Sequence, residues 1–166
     1  VLNEPGMAAA DIGFTDAYAW VADAGSDRLL RVGPAAATSA IELPGMPDQV
    51  VVSDDGTVWV RLPDEGTVIG LVLNRPTIAV TAAWTGPLLA GSWQGLVWSS
   101  DGEQIVELDP SRLSIGVSVS LGRRVPIGDA RRAVRVGDGL VVATDEKVWL
   151  LSRGDLDLAT VDPARA

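Results

Sequence analysis

Neither cysteine nor histidine occurs anywhere in this 166-residue chain. Without cysteine there can be no disulfide, no thiol nucleophile and no zinc–thiolate site. Without histidine the commonest general base and the commonest nitrogen ligand for zinc, copper or haem are missing, so most hydrolase and lyase mechanisms fall away. Lysine occurs once, at Lys147, and the net charge is −9. That balance argues against nucleic acid, which is held by neutralising phosphates, and favours basic or cationic partners. Long apolar runs are also lacking: Val50–Val52 and Leu140–Ala143 are strand-sized, far short of the ~20 residues that span a bilayer. A soluble chain without membrane insertion is expected. The first residue is Val1, and no charged stretch followed by an apolar core marks a signal peptide, so a mature form or a piece of something longer is expected.

What is present is a repeat. Asp16-Ala17-Tyr18-Ala19-Trp20-Val21, Asp55-Gly56-Thr57-Val58-Trp59-Val60 and Gln94-Gly95-Leu96-Val97-Trp98-Ser99 align, with their tryptophans 39 residues apart twice. A fourth copy, Asp138-Gly139-Leu140-Val141-Val142-Ala143, places Val142 at the tryptophan position, 44 residues after Trp98, and the extra length is assigned to Arg123–Arg132. Each copy reads as four short strands. In the second, the β-branched run Gln49–Ser53 meets a turn at Asp54-Asp55-Gly56, and Thr57–Arg61 is broken by Pro63-Asp64-Glu65-Gly66. Strands over Thr67–Leu73 and Thr77–Ala82 complete it, and the third copy repeats the scheme with its last strand at Ser114–Ser120. No sustained helical period appears. The expectation is an all-β chain, a β-propeller of four-stranded blades at about 7–46, 47–86, 87–129 and 130–163. Trp20, Trp59 and Trp98 then pack between neighbouring blades, because a repeated large side chain belongs to the architecture.

With the repeat written out, "DAYAWVADAGSDRLLRVGP", "DGTVWVRLPDEGTVIGLV" and "QGLVWSSDGEQIVELDP" resemble the repeats of YVTN, NHL and streptogramin-lyase-like propellers. The resemblance covers nearly the whole chain and implies the fold. It carries over no catalytic residue, because lyases with such repeats rely on a histidine that this sequence lacks. Rings of that family have six to eight blades, so four copies imply a small closed ring, a half-ring that pairs with a second chain, or a segment of a longer protein. Such repeats also accompany secreted, multidomain surface proteins of bacteria, which implies an extracytoplasmic location.

In this architecture the loops between second and third strands open on the same face as the blade-to-blade loops, a face that commonly carries function. The first set is acidic in every copy: Asp23 and Asp27, Asp64 and Glu65, Asp101 and Glu103, Asp145 and Glu146. These residues suit turns, and as a rim they suit a cationic partner or calcium, which takes several oxygen ligands, although none has EF-hand spacing. No other cofactor is expected. The span Gly122–Arg132 is read as the longest blade-to-blade loop, and its Arg123, Arg124, Arg131 and Arg132 either clamp a carboxylate or phosphate or pair with the acidic rim. Trp84 and Trp93 flank the loop Thr85–Ser92 off the repeated position, as core residues or as a stacking surface for a sugar or aromatic ring. The sequence therefore points to a non-enzymatic binding or scaffolding module for a protein, peptide or glycan. Its alternative is a carbohydrate-active or lyase-type enzyme using Asp or Glu as acid and base, which needs two carboxylates in one pocket, at least one with a displaced pKa.

Overall fold

The computed structural model describes residues 6–34, 38–71, 78–91, 96–108 and 121–154. The chain is all-β. Alternating apolar residues and Asp/Gly turns make antiparallel strands that run β1 (Ala9–Phe14), β2 (Ala19–Asp23), β3 (Arg28–Val32), β4 (Thr38–Glu42), then β5 (Gln49–Val52), β6 (Val58–Leu62), β7 (Thr67–Leu71) and β8 (Ile78–Ala83). They continue as β9 (Leu88–Gly91), β10 (Val97–Ser100), β11 (Ile105–Leu108), β12 (Leu121–Val125), β13 (Ala130–Val136), β14 (Gly139–Thr144) and β15 (Val148–Leu151). Among the described residues each group is its own sheet of sequential neighbours: β1 to β4, β5 to β8, β9 to β12, and β13 to β15. Consecutive first strands pack side by side, β1 on β5, β5 on β9 and β9 on β13, whereas among the described residues β13 and β1 do not pack in this way.

The sheets stack face to face, and the core lies between them. Trp20 joins Ala22 and Leu29 of the first sheet to Val50, Val58 and Ile69 of the second. Trp59 packs with Leu88, Val97 and Val106 of the third sheet, and Trp98 packs with Ala133, Leu140 and Val142 of the fourth. Trp59 and Trp98 are wholly buried. Every repeated tryptophan thus points toward the following sheet, as a strand period of two requires once one face is chosen.

The fourth copy departs from the sequence alignment. Val142 faces back toward the third sheet, and the residue paired as the tryptophans are is Val141, which stands opposite Val134. Ser53–Thr57 separate β5 from β6, but only Gly137 and Asp138 separate β13 from β14. The Asp-Gly signature therefore enters the strand one residue early, and a one-residue slip exchanges the two faces. The arginine loop is corrected too. Arg123 and Arg124 belong to β12, paired with β11, and Arg131 and Arg132 belong to β13, leaving only 126–129 between these strands. A strand at the outer edge of a sheet tolerates charge that a central strand would not. The predicted strand Ser114–Ser120 lies outside the described residues.

Side chains also stitch the first strands together. Asp11 Oδ2 accepts the N–H of Val50 at 3.0 Å. Gln49 holds Leu88 at both ends, accepting its N–H at 2.9 Å and donating Nε2–H to its carbonyl at 3.3 Å. Gly91 allows the second and third sheets to approach, since an added Cβ would lie against the Val52 carbonyl and 2.7 Å from Ser53 Cα. Gly91→Ala is expected to destabilise the chain by roughly 2–3 kcal/mol through overpacking. Urea unfolding measures this, and an unchanged midpoint would show that the approach is not tight.

Candidate functional site

Antiparallel connectivity places the turns β2–β3, β6–β7, β10–β11 and β14–β15 at one end of the sheets, with the connections between sheets. Backbone bonds join the two sets: Leu43 N–H to Asp27 O, Trp84 N–H to Gly66 O and Gly128 N–H to Glu103 O, each 2.9 Å. Asp64, Glu65, Asp101 and Glu103 are exposed there; Asp101 serves its own turn, while the Glu65 side chain lies against Gly45 of the connection between sheets. Among the described residues no three carboxylates converge on a point where a metal ion would sit. Asp101 accepts the N–H groups of Glu103 and Gln104 on Oδ1 and Gln104 Nε2–H on Oδ2, all at 3.0 Å. Desolvation pushes its pKa up, but these bonds outweigh it and hold the carboxyl below its ordinary value.

Of the four arginines, Arg131 is engaged. Its Nε and Nη2 grip Asp145 at 3.0 and 2.9 Å, and Nη1 lies 3.2 Å from Asp129. The guanidinium holds Asp145 below the usual carboxylate range, chiefly through that paired hydrogen bond. Arg132 is exposed on the next position of β13. Arg123 and Arg124 are placed as backbone of β12. Trp84 is half-buried against the Trp59 cluster, and its Nε1–H donates to Ser99 Oγ at 2.6 Å. That bond holds the indole in place. Trp93 lies outside the described residues.

A concave surface lies at the opposite end. A groove of about 820 Å³ opens between the turns β1–β2 and β5–β6 and reaches across to β13. Phe14 stands at its edge, 66% exposed, an unusual position for the only phenylalanine of the chain. Tyr18 lines it beneath the Arg31 guanidinium, 4.8 Å from the ring centre. Asp16, Asp54 and Asp55 supply carboxylates, and Arg135 is the cation in the wall, 3.3 Å from Asp54. The turns are rigid: Thr15 Oγ1 accepts the Tyr18 N–H at 3.0 Å, Asp55 Oδ1 accepts the Thr57 N–H at 2.8 Å, and Gly56 takes φ 85°. Sequence reasoning recognised these as turns and turned to the other end for function. The only signal available was an aromatic directly before an Asp-bearing turn.

One carboxylate missed as structural is Asp23, fully buried. Its Oδ1 accepts the N–H groups of Ala8 and Gly25 at 2.9 and 3.2 Å, and its Oδ2 accepts Arg28 Nη2–H at 2.9 Å. Burial raises its pKa, but these partners together outweigh burial and hold it low.

No family model and no curated protein matches the chain. Solved structures do. A streptogramin B lyase superposes with TM-score 0.67 at 13% identity over 91% of this chain and 53% of that one. The computationally designed protein Ika4 gives TM-score 0.64 at 13% identity over 92% of this chain and 96% of its own. PorZ, a bacterial surface component of the type-IX secretion system of Porphyromonas gingivalis, gives 0.60 at 14% identity over 90% and 20%. The chain thus spans about half the length of the lyase it resembles. At such identities the likeness is one of architecture, and the architecture is that of a β-propeller.

Proposed function

We propose that the chain is a non-enzymatic binding module whose four repeats are four propeller blades, acting outside the cytoplasm, and that its groove receives a basic segment of a protein or peptide. The exposed Phe14 beside Asp16, Asp54 and Asp55 carries this reading. An aromatic face and carboxylates together suit the stem and head of Lys or Arg, and the net charge of −9 steers cations toward the chain. Binding is favoured over acid–base catalysis because, among the described residues, the carboxyls with displaced pKa, at Asp23, Asp101 and Asp145, are all displaced downward. A general acid needs the opposite shift. The likeness to a bacterial surface component supports the extracytoplasmic location.

Calorimetric titration with a short Lys/Arg-rich peptide and a Glu-rich control tests this. Binding of the basic peptide alone is expected, weakening with salt. Asp16→Asn with Asp55→Asn, which keeps the Thr57 N–H accepted, is expected to weaken it roughly tenfold, about 1.4 kcal/mol. Equal binding of both peptides, no binding, or an unaffected double variant would each overturn the reading.

A further inference from the structure

Among the described residues the groove holds one cation of its own. Arg135 of β13 reaches Asp54 in the β5–β6 turn, Nη1 to Oδ2 at 3.3 Å, and both residues line the groove. They belong to the fourth and the second sheet, which are not successive in the stack. The contact is therefore no by-product of neighbouring strands: it lays a guanidinium from one wall on a carboxylate of another. The pair is weakly held. Its side chains keep 37% and 30% of their surface exposed, and an ion pair so placed loses little on exchange with another cation. It is also longer than the 3.0 and 2.9 Å bonds with which Arg131 grips Asp145.

The surroundings suit the same group. Asp55 Oδ1 is taken by the Thr57 N–H, whereas the Asp54 carboxylate faces a guanidinium. Phe14 offers an exposed ring in the same groove, and Tyr18 already carries the Arg31 guanidinium over its face. A carboxylate and a flat ring in one groove favour guanidinium over ammonium, because a planar, weakly hydrated cation can pair and stack at once. We infer that Asp54 is the guanidinium subsite of this groove, that Arg135 is its resident occupant, and that an arginine of an incoming segment binds by displacing Arg135. The inference rests on the reading of the groove as a receptor for a basic segment, and narrows that segment to one bearing arginine. The exchange replaces one guanidinium by another, so it gains nothing in charge at Asp54 itself. A lone cation therefore fails to compete, while a segment that also engages Phe14, Asp16 and Asp55 succeeds.

Calorimetric titration of the parent, Arg135→Gln, Asp54→Asn and the double variant with an Arg-rich and a Lys-rich peptide of equal length tests this. Arg135→Gln is expected to tighten the Arg-rich peptide roughly fivefold, the upper end for a pair of this exposure, and the Lys-rich peptide less. Arg135→Ala, a second way of removing the occupant, should give the same gain. Asp54→Asn is expected to leave the parent affinity within about twofold, because its carboxylate is already occupied, yet to cancel the gain in the double variant. An equal effect of Asp54→Asn in both backgrounds would show a diffuse charge effect and overturn the inference, as would unchanged or weaker binding by Arg135→Gln. An equal gain for the Lys-rich peptide would overturn the guanidinium assignment. A parent that binds without these shifts strikes down the subsite alone, whereas a parent and variants that bind neither peptide strike down the reading of the groove and the subsite with it.

Discussion

Replacing Trp59 by alanine is expected to remove about 4 kcal/mol of unfolding free energy, the middle of the range for emptying a large aromatic site. The indole is wholly buried and fills the space between the second and third sheets, with Val68, Leu88, Val97, Val106 and Leu108 around it. Backbone ladders hold the two sheets only internally, and Gln49 bonds just one residue of the neighbour. The lost volume therefore cannot be filled by local collapse without drawing one sheet toward the other. Against a total stability of roughly 5–15 kcal/mol for a domain, such a loss shifts the urea midpoint far or unfolds the chain. Trp59→Phe retains most of the contact and should cost about half as much. A loss below about 1 kcal/mol for the alanine variant would show that the tryptophan lies on an open surface, and the stacked-sheet arrangement would have to be abandoned.

The second large effect is expected at Asp23. Its carboxylate is buried where the N–H groups of Ala8 and Gly25 and the guanidinium of Arg28 converge. Asp23→Ala removes the buried acceptor that all three donors share. Removing one member of a buried pair costs about 3–5 kcal/mol, and because the Arg28 side chain retains 23% exposure, the lower end, about 3 kcal/mol, is expected. Asp23→Asn keeps an acceptor for the backbone but turns an amide toward Arg28, so part of the loss should remain. The pH dependence has a definite sign. The folded pKa of Asp23 lies below the ordinary carboxylate value, as do those of Asp101 and Asp145. Their contribution is complete above the unfolded value of about 3.9 and disappears as pH falls through the folded values. Denaturation midpoints should therefore be insensitive to these groups between pH 5 and 7, on the order of two units above titration, and fall below about pH 4. In Asp23→Ala the acid-side fall should be shallower, and an unchanged slope would show that Asp23 titrates alike folded and unfolded.

Much of this architecture could be read from residue order alone. The all-β character, the strand starts at Gln49, Thr67 and Leu88, and the burial of Trp20, Trp59 and Trp98 follow from alternation and from turn residues. Both are local properties with a period of two, so a few neighbouring residues suffice to encode them. Three matters were settled only in three dimensions. Two residues between β13 and β14, against five between β5 and β6, decide which face Val142 takes, and a signature aligned by its Asp-Gly does not reveal how many of its residues become turn. Arg123 and Arg124 fall on a strand rather than in a loop because β11 offers an edge for β12 to join, and Arg131 and Arg132 because β13 pairs with β14, demands of pairing that act between segments rather than within either one. The groove draws Phe14, Asp55 and Arg135 from three separate sheets, more than a hundred positions apart in the chain at the extremes. No local pattern marks such a site, because only the angle at which successive sheets stack brings its walls together.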